Sequence, residues 1–183
     1  MTAVIEKVTI DCGHDRQATL YLGDSYLIIP DVTDADDWRL DDVACVMDPP
    51  YKFDTSGGGK LRKTRKNMDE IEAEGLNEGF DVSILDTGDG HWCASAVVFC
   101  HNDQLAELMP ALDARFHRLA LLAWRKINPM PVANKAYVPE LEPYLHGWNP
   151  GAHPVGALRD LRRIWDGPVG VNEFDHPTQK PIN

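Results

Sequence analysis

The residues with the clearest chemical meaning in this sequence are Asp48-Pro49-Pro50-Tyr51, which directly follow the apolar run DVACVM at 42–47. That run is typical of a buried strand, and ligands of open α/β sheets bind at the carboxyl ends of the strands. Two successive prolines restrict the backbone and hold Asp48 in an extended conformation at the strand end. The Asp48 carboxylate and the Pro49 carbonyl are hydrogen-bond acceptors, and Tyr51 offers a flat aromatic face.

This set of groups matches the exocyclic amino group of a nucleobase. The two N–H donors of the amino group would meet two acceptors while the base stacks on the tyrosine ring. A proline turn with an aspartate cap would have the same sequence. The tetrapeptide alone therefore leaves both interpretations open.

A dense basic cluster follows this motif and three consecutive glycines, and its members are Lys60, Arg62, Lys63, Arg65 and Lys66. The chain as a whole has a formal net charge of −11, which argues against a protein that wraps nucleic acid without sequence preference. A local basic loop is compatible with an enzyme that acts on DNA. We expect the cluster to contact DNA phosphates, with a solvated loop beside an acidic helix at 67–79 as the alternative.

Strands and helices alternate along the chain, which predicts an α/β fold in one domain. Apolar runs predict strands at 18–22, 42–47, 93–100 and 119–124, the first two forming one βαβ unit. A helix is expected at 104–116, capped by Asn102 or Asp103 and kinked or ended early by Pro110. Its apolar face comprises Leu105, Leu108, Met109 and Leu112. A short helix is expected at 157–165, and residues 125–155 are predicted to be irregular.

The four cysteines, Cys12, Cys45, Cys93 and Cys100, form no C-x-x-C pair. They are expected to be free buried thiols of a reducing compartment, and no metal site is expected. The N-terminus lacks the basic start and apolar run of a signal peptide, and no apolar run is long enough to span a bilayer. We expect a cytoplasmic protein.

Three ordered segments resemble the amino-group DNA methyltransferases, which methylate adenine N6 or cytosine N4. The stretch that opens with ATLYLGDSYLIIPD and ends with DDVACVMDPPY is similar to the start of the group whose catalytic motif precedes its cofactor motif. WRKINPMPVANKAYVPELEPYLHG resembles the segment after a later strand of that family. DHPTQKP is similar to the linker that leads into the cofactor-binding half.

The resemblance implies a doubly wound Rossmann-like sheet with helices on both faces, and S-adenosylmethionine (SAM) as the cofactor. Asp48 to Tyr51 would be the catalytic motif, and residues 125–175 would face DNA. The residues that would contact SAM are Asp24, Thr178, Gln179 and Lys180. Arg125 and Lys126 would join the basic cluster in binding double-stranded DNA. Glu140 and Glu142 fit either a pocket or the surface.

The family pairs aspartate at the first motif position with adenine N6 and serine with cytosine N4. Adenine N6 is therefore the expected target, and cytosine N4 is the alternative. The sequence departs from the family in one respect, because the chain ends at Asn183 without a Phe-x-Gly-x-Gly turn. The cofactor site is then expected to be incomplete. By this resemblance the chain looks truncated after HPTQKP. Alternatively, a second chain or a homo-oligomer would complete the sheet, or the protein would be a non-catalytic remnant that binds DNA or a partner.

Overall fold

The computed structural model describes residues 4–35, 43–53, 66–86, 93–129 and 137–169. The chain divides into two compact units, Met1–Val43 with Asp81–Ala94, and Ala44–Phe80 with Ser95–Asn183. Within the described ranges, no helix is long and apolar enough to cross a membrane.

The first unit contains a β-hairpin and a helix. Strands β1 (Val4–Gly13) and β2 (Arg16–Gly23) pair antiparallel, and their turn places Gly13, His14 and Asp15 at positive φ. Helix α1 (Ser25–Ala35) follows directly. The Tyr26 hydroxyl donates to the Asp81 carbonyl at 2.9 Å and accepts from the Asp81 N–H at 2.7 Å. This pair of bonds ties α1 to the short 3₁₀ helix Val82–Asp86.

The second unit is built on a five-stranded mixed sheet. Its strands are β3 (Ala44–Met47), β4 (Ser95–Phe99), β5 (Arg118–Lys126), β6 (Leu141–Trp148) and β7 (Ile164–Gly167), in the spatial order β3-β4-β6-β5-β7. Strand β3 is parallel to β4, and β5 is parallel to β7, whereas β6 runs antiparallel to both β4 and β5. Four strands therefore share one direction, and β6 is inserted among them in the opposite direction.

Among the described residues of this unit, the α-helices are α2 (Lys66–Ala73) and α3 (Leu105–Asp113). Helix α3 buries Leu108 and Leu112. The buried strand residues include Ala96, Val98 and Leu145, as expected where a helix packs on a sheet.

The Phe116 ring lies against the backbone of β6 at Gly147. A Cβ atom at this position would lie 2.4 Å from Cδ2 of Phe116, so only glycine fits the contact without a shift of the ring. Phe116 is buried.

The predicted strands at 18–22 and 119–124 lie within β2 and β5, and the predicted strands at 42–47 and 93–100 contain the shorter β3 and β4. The predicted βαβ unit is wrong, because β2 pairs with β1 and lies in a different sheet from β3. Polar and apolar residues alternate along part of β1, as is typical of a half-exposed strand, and β1 pairs locally with β2. The sheet is also mixed, whereas the apolar run at 93–100 had indicated a parallel one.

Two predictions about the second half of the chain are wrong. Residues 125–155 are not irregular throughout, because they include β6, whose sequence is interrupted by Pro143 and Gly147. The helix at 157–165 is replaced by a turn and by β7, because pairing with β5 outweighs the helical spacing of the apolar residues.

The helix near 104–116 is confirmed, with differences in detail. Its start is a 3₁₀ turn, Asn102–Gln104, capped by His101 rather than by Asn102 or Asp103. Pro110 lies inside α3 without ending it, and Met109 is exposed. Cys93 and Cys100 are buried free thiols as predicted, whereas Cys45 is only partly buried and Cys12 is exposed.

Candidate active site

The candidate site lies where the four strands that share one direction, β3, β4, β5 and β7, have their carboxyl ends. Strand β6 begins at this end of the sheet because it runs in the opposite direction. Asp48 is the first residue after β3, and its side chain is exposed. Its place is therefore the one where ligands of open α/β sheets bind.

The turn that follows Asp48 is held by a buried amide. Gln104 is 4% exposed, and its Nε2 donates to the Pro50 carbonyl at 3.5 Å. Its Oε1 accepts from the backbone N–H of His101 at 2.9 Å. The Phe53 N–H donates to the Asn77 carbonyl at 3.1 Å on the far side of the turn. The motif is thus fixed by contacts as well as by its two prolines.

The hydroxyl group of Tyr51 lies between two carboxylates. Its oxygen is 2.9 Å from Asp48 Oδ1 and 2.9 Å from Glu142 Oε1. Burial, then the charges of Glu142 and Asp48, raise the pKa of Tyr51 well above its usual value. The phenol therefore stays protonated and acts as a hydrogen-bond donor.

Glu142 is itself held by a cation. Lys126 Nζ lies 3.1 Å from Glu142 Oε2, and the two side chains are 24% and 13% exposed. The same ammonium group is 5.4 Å from the centre of the Trp124 ring. Glu142 lies directly opposite Trp124 in the β5–β6 ladder, so the strand register sets these contacts. Neighbouring Cys100 is buried, and burial together with the charge of Glu142 raises its pKa to about 11.

Arg125 points to a different partner from Lys126. Its Nε and Nη2 donate to Oδ1 and Oδ2 of Asp166 at 2.7 Å and 2.8 Å, across the parallel β5–β7 pair. Both side chains are about half exposed. The pair fixes the end of β7 against β5.

The predicted site residues are brought together in part. The structure places Asp48, Pro49, Pro50, Tyr51 and Lys126 in one neighbourhood, and it pairs Arg125 with Asp166. Asp24 Oδ1 accepts from the Tyr26 N–H at 2.9 Å, so this residue caps α1. Lys66 is the first residue of α2, but its side chain is outside the described part of the structure. The other predicted positions lie outside the described residues: Lys60, Arg62, Lys63, Arg65, Thr178, Gln179 and Lys180.

Two residues of the site were not assigned to it from the sequence. Glu142 had been left open between pocket and surface, and Glu140, its counterpart, is exposed. Gln104 was predicted only as a helix residue. A glutamine at the start of an apolar helix is not distinctive, and its burial against the Pro50 carbonyl depends on the sheet register.

No protein-family model matches the chain, and no curated protein sequence matches it. Two solved structures of M1.HpyAVI resemble it. The structure of M1.HpyAVI aligns with a TM-score of 0.51 at 19% identity, over 82% of this chain and 67% of that chain. The structure of the M1.HpyAVI-SAM complex aligns with a TM-score of 0.42 at 19% identity, over 68% of this chain and 51% of that chain.

The chain therefore spans between half and two thirds of the length of these structures. The likeness to M1.HpyAVI confirms the predicted α/β architecture, an incomplete Rossmann-like sheet.

Proposed function

We propose that this chain acts as a DNA methyltransferase that uses SAM to methylate adenine N6. The observation that carries the proposal is the exposed Asp48 carboxylate, which is held at a strand end beside the Tyr51 ring. The resemblance of three ordered segments to the amino-group DNA methyltransferases supports it. The chain also shares the fold of M1.HpyAVI.

The chemistry of the target explains the need for these groups. The lone pair of an adenine amino group is delocalised into the ring, so the nitrogen is a poor nucleophile. Hydrogen bonds from its two N–H groups to the Asp48 carboxylate and the Pro49 carbonyl would favour a tetrahedral nitrogen with a localised lone pair. Asp48 is an orienting acceptor in this proposal, and Tyr51 holds the plane of the base. SAM, when bound, supplies an electrophilic methyl group.

The base must leave the double helix to reach these groups. DNA methyltransferases rotate their target nucleotide out of the stack into a pocket. An exposed carboxylate at the sheet edge is accessible to such a base, whereas it could not reach the amino group inside a duplex. The basic cluster at 60–66 would hold the phosphates nearby, so that local charge offsets the acidic remainder of the chain.

The described residues fit the base-binding half of the reaction more fully than the SAM half. Asp24 caps α1, and Thr178, Gln179 and Lys180 lie outside the described residues. The assignment of these four residues to SAM rests on the resemblance.

We also propose that a further strand, from a second copy or from another chain, pairs with β3. Among the described strands, β3 is an edge of the five-stranded sheet, and its Val46 side chain is 73% exposed. Apolar edge strands favour pairing with additional strands.

The test is methyl transfer from isotope-labelled SAM to double-stranded DNA, followed by nucleoside mass spectrometry. SAM is supplied at about 1 mM, because weak binding is expected. Labelled N6-methyladenine supports the proposal. Labelled N4-methylcytosine selects the alternative target. Binding of DNA without any transfer identifies a non-catalytic protein and overturns the enzymatic assignment.

A further inference from the structure

The Tyr51 hydroxyl has one hydrogen to donate and two carboxylate acceptors within reach. A phenol donates one hydrogen bond of full strength, yet two carboxylate oxygens lie 2.9 Å from its oxygen. Asp48 and Glu142 therefore compete for this donor. Asp48 Oδ1 is available to accept a hydrogen bond from a ligand only when the Tyr51 hydroxyl donates to Glu142.

The two competing carboxylates differ in their surroundings. Glu142 is 13% exposed, and its second oxygen is paired with the Lys126 ammonium at 3.1 Å. Both side chains of this pair are mostly buried, so the ion pair holds Glu142 in one place. Asp48 is exposed and can exchange hydrogen-bond partners with solvent or with a ligand. Glu142 is the fixed acceptor of the set, and Asp48 is the exchangeable one.

We propose that Glu142 is a positioning residue that acts through Tyr51. When a target amino group approaches, the Tyr51 proton turns to Glu142, and Asp48 Oδ1 accepts from the amino group instead. Lys126 holds Glu142 in the orientation that makes this possible. The inference rests on the proposed function, because it assigns a role in methyl transfer.

The geometry has a second consequence for the ring of Tyr51. A hydroxyl anchored to the start of β6 fixes the far end of the ring, and the Pro-Pro turn fixes its near end. The ring then keeps one orientation against a stacked base. Reacting groups must be aligned closely, and small displacements cost large factors in rate.

The test is a double-mutant cycle of Glu142→Ala and Tyr51→Phe, measured as the single-turnover rate of methyl transfer. Each single change should lower the rate by about tenfold, with the DNA dissociation constant within about twofold of wild type. In the Tyr51→Phe background, Glu142→Ala should cost less than about twofold. Independent, multiplying effects would show that Glu142 does not act through the phenol.

Lys126→Met separates the proposed role from a phosphate contact. Loss of the ion pair should lower the transfer rate and leave DNA affinity within about twofold. Weaker DNA binding with an unchanged rate would overturn the role of Lys126 in holding Glu142. Glu140→Gln is the control for the change at Glu142, because Glu140 is an exposed glutamate two residues before it in the chain.

A spectroscopic measurement needs neither SAM nor DNA. The protein is labelled with ¹³C at Cζ of its five tyrosines, and the Tyr51 signal is identified by its loss in Tyr51→Phe. That signal should shift in Glu142→Ala and stay in place in Glu140→Gln. An unmoved signal overturns the inference. If the signal shifts in Glu142→Ala but the wild-type protein transfers no methyl group, the contact stands, whereas the proposed function and the positioning role of Glu142 in methyl transfer are overturned.

Discussion

The Tyr51 hydroxyl oxygen lies 2.9 Å from Glu142 Oε1, although the two residues are 91 positions apart in the chain. The contact joins the turn after β3 to the start of β6. It also brings Lys126, at the end of β5, into the same set of charges. Three strand ends thus contribute to one cluster around the candidate catalytic motif.

Replacement of Asp48 by alanine should lower methyl transfer at least about a hundredfold, because the acceptor for the target amino group is lost. DNA affinity should stay within about twofold of wild type, since most binding energy comes from phosphates. Label incorporation and a DNA binding titration measure the two quantities. Activity retained in the variant would remove Asp48 from the catalytic motif.

Alanine at all five positions of the basic cluster should weaken binding to every DNA sequence to a similar extent. Phosphate contacts carry no base information, and each one lost should flatten the plot of log K against log salt by about one unit. Binding titrations at several salt concentrations measure this slope. A slope equal to that of wild type would place the cluster away from DNA.

The 183-residue chain should bind SAM weakly, with a dissociation constant above about 100 µM. The tight sites of doubly wound sheets use a glycine turn that lets backbone and a helix N-terminus approach the ligand. The sequence contains no Phe-x-Gly-x-Gly turn. Isothermal titration calorimetry measures the affinity, and light scattering reports self-association through the β3 edge. Micromolar binding by a monomer would contradict both expectations.

Gly147→Ala should destabilise the fold by about 1–3 kcal/mol, because the added methyl group would meet the Phe116 ring. Chemical denaturation measures the free energy of unfolding. In a Phe116→Leu background the same change should cost less, since the ring is gone. Equal costs in the two backgrounds would show that the ring is not the obstacle.

His146 should make stability depend on pH. Burial lowers its pKa below the usual 6.5, so the unfolded chain binds a proton more readily than the folded protein does. The contribution of neutral His146 to the free energy of unfolding is then fully present above pH 6.5, and it is lost as the pH falls from there toward the folded-state pKa. Melting temperatures at about pH 8 and about pH 5 should differ less in His146→Gln than in wild type.

His153→Gln, at an exposed position, is the matched control for this comparison. A pH dependence that is the same in His146→Gln and in wild type would remove His146 as its source.

The sequence by itself determined the elements whose signals are local. The apolar runs of β3, β4 and β5 and the helical spacing of Leu108 and Leu112 could be identified from neighbouring residues, because burial of one face imposes a short repeat. The motif Asp48–Tyr51 was placed at a strand end for the same reason. The α/β class followed from the alternation of these elements.

Only the tertiary structure decided which strands pair and which charges meet. Strand β6 lies between β4 and β5 in antiparallel register, and this register places Glu142 opposite Trp124 and within reach of Tyr51. Strand β7 forms where the local pattern favoured a helix, because pairing with β5 satisfies its backbone. Such contacts depend on residues far apart in the chain, and no local repeat in the sequence encodes them.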